Sequence, residues 1–113
     1  MDVKRGEIYK VDFSPIIGSE MKDDHPAVIV SDDGINRRAA VVIVCPITDA
    51  FGKDTPIHIL VPAGEGGLEK DSVVHCGQVR SIDKDRLDDK YGELNRHRMA
   101  QVGKGLKNAL DLN

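Results

Sequence analysis

Short β-branched runs fenced by turn residues constrain this chain most. PAVIV (26–30) and VVIVCPIT (41–48) are almost wholly apolar yet no longer than a strand, and SVVHCGQVRSI (72–82) reads as a further, longer strand. Unbroken apolar character over so few residues predicts strands buried on both faces. The Gly, Pro, Asp and Asn residues between them predict turns. EIYKVDF (7–13) puts Tyr9, Val11 and Phe13 on one face, with Ile8 breaking the period of two, and reads as an outer strand. A loop is expected from Ser14 to about Asp24. Pro26 lacks an N–H and is expected at the first position of its strand, and Gly77 is expected to bend or bulge the 72–82 strand. PIHILVP (56–62) alternates, with Ile57, Ile59 and Val61 on one side.

SDDGINRRAA (31–40) and AGEGGLEKD (63–71) read as turns, and DKDRLDDKYGEL (83–94) is open between a helical turn and a short strand. Asn95 is an N-cap residue for RHRMAQVGKGLKNALDL, where Met99, Val102, Leu106, Ala109 and Leu110 recur at helical spacing. Gly103 and Gly105 each cost that helix about 1 kcal/mol relative to Ala, so packing must hold it. Five or six strands with one C-terminal helix describe a mainly β protein with α (α+β), a small curled antiparallel barrel. At 113 residues, 40% apolar and 31% charged, the chain suits a single folded domain, 1–113. MDVKRGEIYK has no apolar leader core, and no apolar run reaches membrane-spanning length, so a cytoplasmic protein is expected.

Sixteen basic against nineteen acidic side chains leave a formal charge of −3, so nucleic acid would have to be held by a local patch. Cys45 and Cys76 lie inside apolar runs without C-x-x-C spacing and read as buried free thiols. AGEGGLEKD lacks the ending and following helix of a phosphate cradle. His75 and Cys76, adjacent on a strand, should face opposite ways and fail to converge on one metal ion. Neither a metal nor a cofactor is expected. Asp23, Asp24 and His25 form a polar cluster whose aspartates suit a solvated turn. Thr48 could offer its hydroxyl to a cleft. Phe51 is either a tucked loop anchor or a base-stacking platform. Gln78 and Arg80 share one strand face and would serve RNA or structural hydrogen bonds, with Glu20 and Asp83 as alternative partners for Arg80.

Together, KRGEIYKVDFSP, IIGSE with HPAVIVSDD, NRRA before VVIVCPIT, and KDSVVHCGQVRSIDKDRL resemble the MazF/PemK family of toxin endoribonucleases, in family order over most of the chain. The resemblance implies an SH3-like barrel of five or more strands with helices and a homodimer. It also implies cleavage of single-stranded RNA at short sequences, and an antitoxin whose flexible tail occupies the RNA groove. In the family an arginine before the proline of the second strand, with the threonine ending P-I-T, is central to catalysis. Thr48, Ser19 and Glu20 match, but His25 stands in the arginine's place and Met21 replaces the usual glutamine.

Cleavage by the 2′-hydroxyl needs a proton acceptor, a proton donor for the leaving 5′-oxygen and donors to the phosphate oxygens. An imidazole, with a pKa of about 6.5, exchanges protons near neutrality, which an arginine does not. The expected assignment is His25 as acid or base, Thr48 as phosphate donor and Glu20 as complementary proton carrier. Ser19, Phe51, Lys53, Gln78 and Arg80 would bind RNA, with Lys53 or Arg80 offsetting the lost guanidinium. The competing readings are a family member that binds antitoxin without cutting RNA, a gyrase-directed toxin, and an SH3-like peptide binder.

Overall fold

The computed structural model describes residues 2–14, 24–50, 52 and 55–113. The elements in chain order are β1 (Glu7–Asp12), β2 (Asp24–Ile29), α1 (Asp33–Arg38), β3 (Val41–Asp49) and β4 (His58–Val61). They continue with β5 (Ser72–His75), β6 (Arg80–Asp83), β7 (Leu87–Glu93) and α2 (Arg96–Ala109). Across the sheet the order is β4-β5-β3-β2-β1-β7, and every pairing is antiparallel. The nine-residue β3 has room for two neighbours on one edge: Val41–Val44 pair with β6, and Ile47–Asp49 pair with β5.

Strands β2 and β3 carry continuous apolar sequence because both of their faces are covered. On one face Ile8, Val28, Val30, Cys45, Ile47 and Val74 pack together; on the other, Tyr9, Val11, Phe13, Ala27, Ile29, Val42 and Val44 do so. Each fully buried Val or Ile contributes about 1.5–3 kcal/mol. Helix α2 covers the first face. Its cap is the one the sequence implies, with Asn95 accepting from the Arg98 N–H at 2.8 Å. Met99, Leu106 and Ala109 pack on the core and Val102 is buried in it, whereas Leu110 lies beyond the helix and is exposed.

The mainly β class with a C-terminal helix is as expected, but the barrel is open: β4 and β7 are the two ends of the strand path. The 3-10 turn Glu65–Gly67, which follows β4, sits on β7. Gly67 has φ +78°, and a Cβ there would fall 2.0 Å from the Tyr91 carbonyl oxygen, so only glycine allows this approach. Arg98 of α2 grips Glu65 through two hydrogen bonds of 2.8 and 3.0 Å.

Several local expectations are corrected. β1 lies between β2 and β7 and is not an outer strand. β2 begins at Asp24, so Pro26 is its third residue, and Asp24 and His25 belong to a strand and not a turn. The ladder with β3 starts only at Ala27, immediately after the proline. Residues 72–82 form two strands, not one, joined by the 3-10 turn Cys76–Gln78 around Gly77. SDDGINRRAA contains helix α1, capped by the Asp32 carboxylate accepting from the Gly34 N–H. The open segment 83–94 is a 3-10 turn, Lys84–Arg86, followed by β7.

Candidate active site

Alternation along β2 and β3 places His25 and Thr48 on one face of the sheet. Ala27 pairs with Pro46, so His25 and Thr48, each two residues beyond that last pair of the ladder, project to the same side of the sheet. Both are half-buried. On the other edge of β3, Thr48 pairs with Val73. This makes His75 its diagonal neighbour on that face, within reach of a long side chain. The contact is made: Thr48 Oγ1 and His75 Nε2 are 2.7 Å apart.

His75 is only 7% exposed and is braced from β4. His58 pairs with it across the strands, the two rings meeting edge to face at 5.0 Å and 88°, and the His58 Nδ1 is 2.5 Å from Thr55 Oγ1. At the other end of the face, Phe13 touches both His25, with ring centroids 6.4 Å apart, and Arg80, whose guanidinium carbon lies 5.3 Å from the Phe13 centroid. That separation suits a cation–π contact. Since Arg80 pairs with Val44, two alternations before Thr48, its guanidinium belongs to the same sheet face.

The structure thus gathers Thr48, His25 and Arg80 from the expected set. Gln78 does not share a strand face with Arg80, because it sits exposed in the 3-10 turn before β6. Ser19, Glu20, Phe51 and Lys53 lie outside the described residues. His75 and Cys76 face opposite sides, as strand geometry requires: the Cys76 thiol lies 3.7 Å from the Val102 carbonyl under α2. Cys45 and Cys76 are free and buried, and the Cys76 thiol beside it, together with burial, pushes Cys45 far above the usual thiol range.

His58, His75 and Phe13 are the site-face residues that sequence reasoning did not select. Histidine at 75 was visible, but its partner is set by the β3–β5 register, which no local pattern displays. Phe13 reads as core from its alternation, and it is core, at 2% exposed, while also serving as the platform between His25 and Arg80.

A family model described as PemK-like, MazF-like toxin of type II toxin-antitoxin system matches residues 4–110. Endoribonuclease EndoA of Bacillus subtilis (strain 168) is 39% identical over 113 residues, covering 99% of this chain and 97% of that protein. The crystal structure of MazF from Deinococcus radiodurans superposes with a TM-score of 0.84 at 25% identity, covering 99% of both chains. An endoribonuclease from a mycobacterial species, solved in complex with its cognate antitoxin, superposes with a TM-score of 0.78 at 25% identity, covering 99% of this chain and 96% of that one.

Proposed function

Because this chain belongs to the PemK-like, MazF-like toxins of type II toxin-antitoxin systems, we propose that it is a sequence-specific, metal-independent endoribonuclease acting on single-stranded RNA. The 2′-hydroxyl attacks the adjacent phosphorus, leaving a 2′,3′-cyclic phosphate and a 5′-hydroxyl. The observation that carries this reading is the shared face of His25, Thr48, His75 and Arg80, since one phosphodiester set there would meet proton-exchanging, hydroxyl and guanidinium groups together.

In this scheme His25 takes the proton of the 2′-hydroxyl, and Thr48 donates a hydrogen bond to a phosphate oxygen. Glu20 is the complementary proton carrier for the leaving 5′-oxygen. Arg80, held against Phe13 beside His25, supplies fixed positive charge that an imidazole at position 25 lacks. Ser19, Phe51, Lys53 and Gln78 extend the RNA-binding surface. A cognate antitoxin and a second copy of the chain are the protein partners, in keeping with the antitoxin-bound mycobacterial relative. The family match over 4–110 supports one toxin domain spanning 1–113. No helix among the described residues is long and apolar enough to cross a membrane, and mRNA cleavage calls for a cytoplasmic site of action.

Mapping the cuts on a defined RNA tests the proposal. Cleavage should stop when the scissile nucleotide is 2′-deoxy, persist in EDTA and leave a cyclic phosphate. His25→Ala should slow it by about 10²–10⁴-fold with RNA binding little changed. Cleavage of the deoxy substrate would exclude the 2′-hydroxyl as nucleophile, and absence of any cutting would return the chain to the antitoxin-binding or gyrase-directed readings.

A further inference from the structure

Thr48 can serve a phosphate oxygen only if its own hydrogen points outward, and the direction of that hydrogen is decided by the imidazole 2.7 Å away. A hydroxyl has one hydrogen and two lone pairs, whereas each imidazole nitrogen is either a donor or an acceptor. When His75 Nε2 is bare, Thr48 gives its hydrogen to the ring and presents only lone pairs to an anionic oxygen. When Nε2 bears a hydrogen, the ring donates to Oγ1 and the hydroxyl hydrogen is released. The other acceptor at Thr48, the Asp49 carbonyl, lies 3.4 Å away and offers little competition for it.

Resting on the nuclease reading above, we infer that His75 is the positioning residue of the active site, its Nε2–H turning the Thr48 hydroxyl toward the RNA phosphate. Protonation of the ring guarantees that arrangement, since both nitrogens of an imidazolium donate. The surroundings fix the ring in place. His75 is 7% exposed, and His58 abuts it edge to face while its own Nδ1 is engaged with Thr55.

Among the described residues, β2, β4 and β6 each bring a charged or titratable group to the face that holds His75. β4 contributes His58, whose protonation opposes that of His75. β2 contributes His25 and β6 contributes Arg80, both on the same face. Asp49, next to Thr48 on β3 and paired with Ser72, points to the opposite face, where Lys70 lies 3.7 Å from its carboxylate. His25 acting as base requires the neutral form, and His75 acting through Thr48 is best served by the charged form. Loss of the His75 proton should therefore steepen the alkaline fall in rate beyond that from deprotonation of the Glu20 proton carrier.

The test compares His75→Leu and His75→Gln with the wild type on a defined RNA between pH 5 and 9. His75→Leu should lower kcat by about 10- to 100-fold with KM within about threefold, as loss of a preorganised donor predicts. Glutamine keeps an N–H donor without titrating. His75→Gln should therefore recover most of that loss while the alkaline fall becomes less steep. An alkaline fall as steep in His75→Gln as in the wild type, or an unaltered kcat in His75→Leu, would overturn the inference. The imidazole ¹⁵N spectrum of the uncut protein gives an independent reading: Thr48→Val should shift the His75 Nε2 resonance, and no shift would equally overturn it. If the wild type cuts no RNA at any pH, the nuclease reading fails and takes the catalytic role with it. A shifted Nε2 resonance would then locate the failure in the activity and not in the hydrogen bond.

Discussion

Glu7 is a carboxylate only 6% exposed, and burial alone would favour its neutral form. Lys90 Nζ at 2.7 Å, the Lys4 N–H at 2.7 Å and the Tyr9 hydroxyl at 3.0 Å outweigh that burial and hold it below the ordinary range. The same contact acts in reverse on Tyr9, which burial and Glu7 push up to about 12. A lowered folded-state pKa stabilises fully above the unfolded value, about 4.3, and that stabilisation disappears as pH falls through the folded value. Glu7→Gln should therefore cost about 1–2 kcal/mol at neutral pH, with the difference from wild type shrinking below pH ~4 in urea titrations. A gap that stayed constant into acid would show that packing, not charge, carries the effect. This link was invisible in the sequence because Glu7 and Lys90 are 83 positions apart and meet only through the β1–β7 ladder. His25 and Thr48 were found because the family resemblance carried Thr48 over and put His25 in its arginine's place, each at the edge of a legible apolar run. His75 was passed over for the opposite reason: strand alternation correctly separated it from Cys76 but could not reveal that it faces Thr48.

Helix α2 and its two interior glycines show how an element's sequence cost is met by packing. A Cβ at Gly105 would lie 2.7 Å from the Cys76 thiol and 3.2 Å from Ile59 Cδ1, so the missing side chain is what lets the helix settle on β4 and the turn after β5. At Gly103 the nearest contact is the end of Arg5 at 4.0 Å. The helix propensity gained by alanine is the same at both sites, about 1 kcal/mol. Only Gly103→Ala should realise it, raising the melting temperature by several degrees, whereas Gly105→Ala should lower it. Equal shifts in both variants would refute close packing at Gly105. The helix itself was legible from its cap and its three-four spacing. α1 was not, although Asp32, Asp33, Arg37 and Arg38 form a proper start and stop, because six residues with Ile35 exposed display no apolar stripe. The split of 72–82 into β5 and β6 was half legible: Gly77 marked the place, but only β3, long enough to accept two partners end to end, requires the break.

Across the whole molecule, a formal charge of −3 coexists with a proposed RNA substrate, so attraction must come from one region and not from the general field. The opened sheet makes such a region possible. Its second face is apolar under Tyr9, Val11, Phe13, Ala27 and Ile29, then turns polar at the strand ends, where Arg80, His25, Thr48 and His75 gather. With Arg80 on this face and, in the proposed scheme, Lys53 as fixed cations and the imidazoles as further partners, two or three phosphates would be neutralised. Single-stranded nucleic acid loses about 0.7 in log K per log salt for each such contact, which gives an expected slope of about −1.4 to −2. The slope can be measured by anisotropy between 50 and 200 mM salt on an RNA made uncleavable by one 2′-deoxynucleotide. Arg80→Gln should flatten it by about 0.7, because that substitution removes one phosphate contact and leaves the strand pairing of β6 intact. A slope steeper than about −4 would require some six contacts, more than this face supplies, and would move the RNA path to another surface.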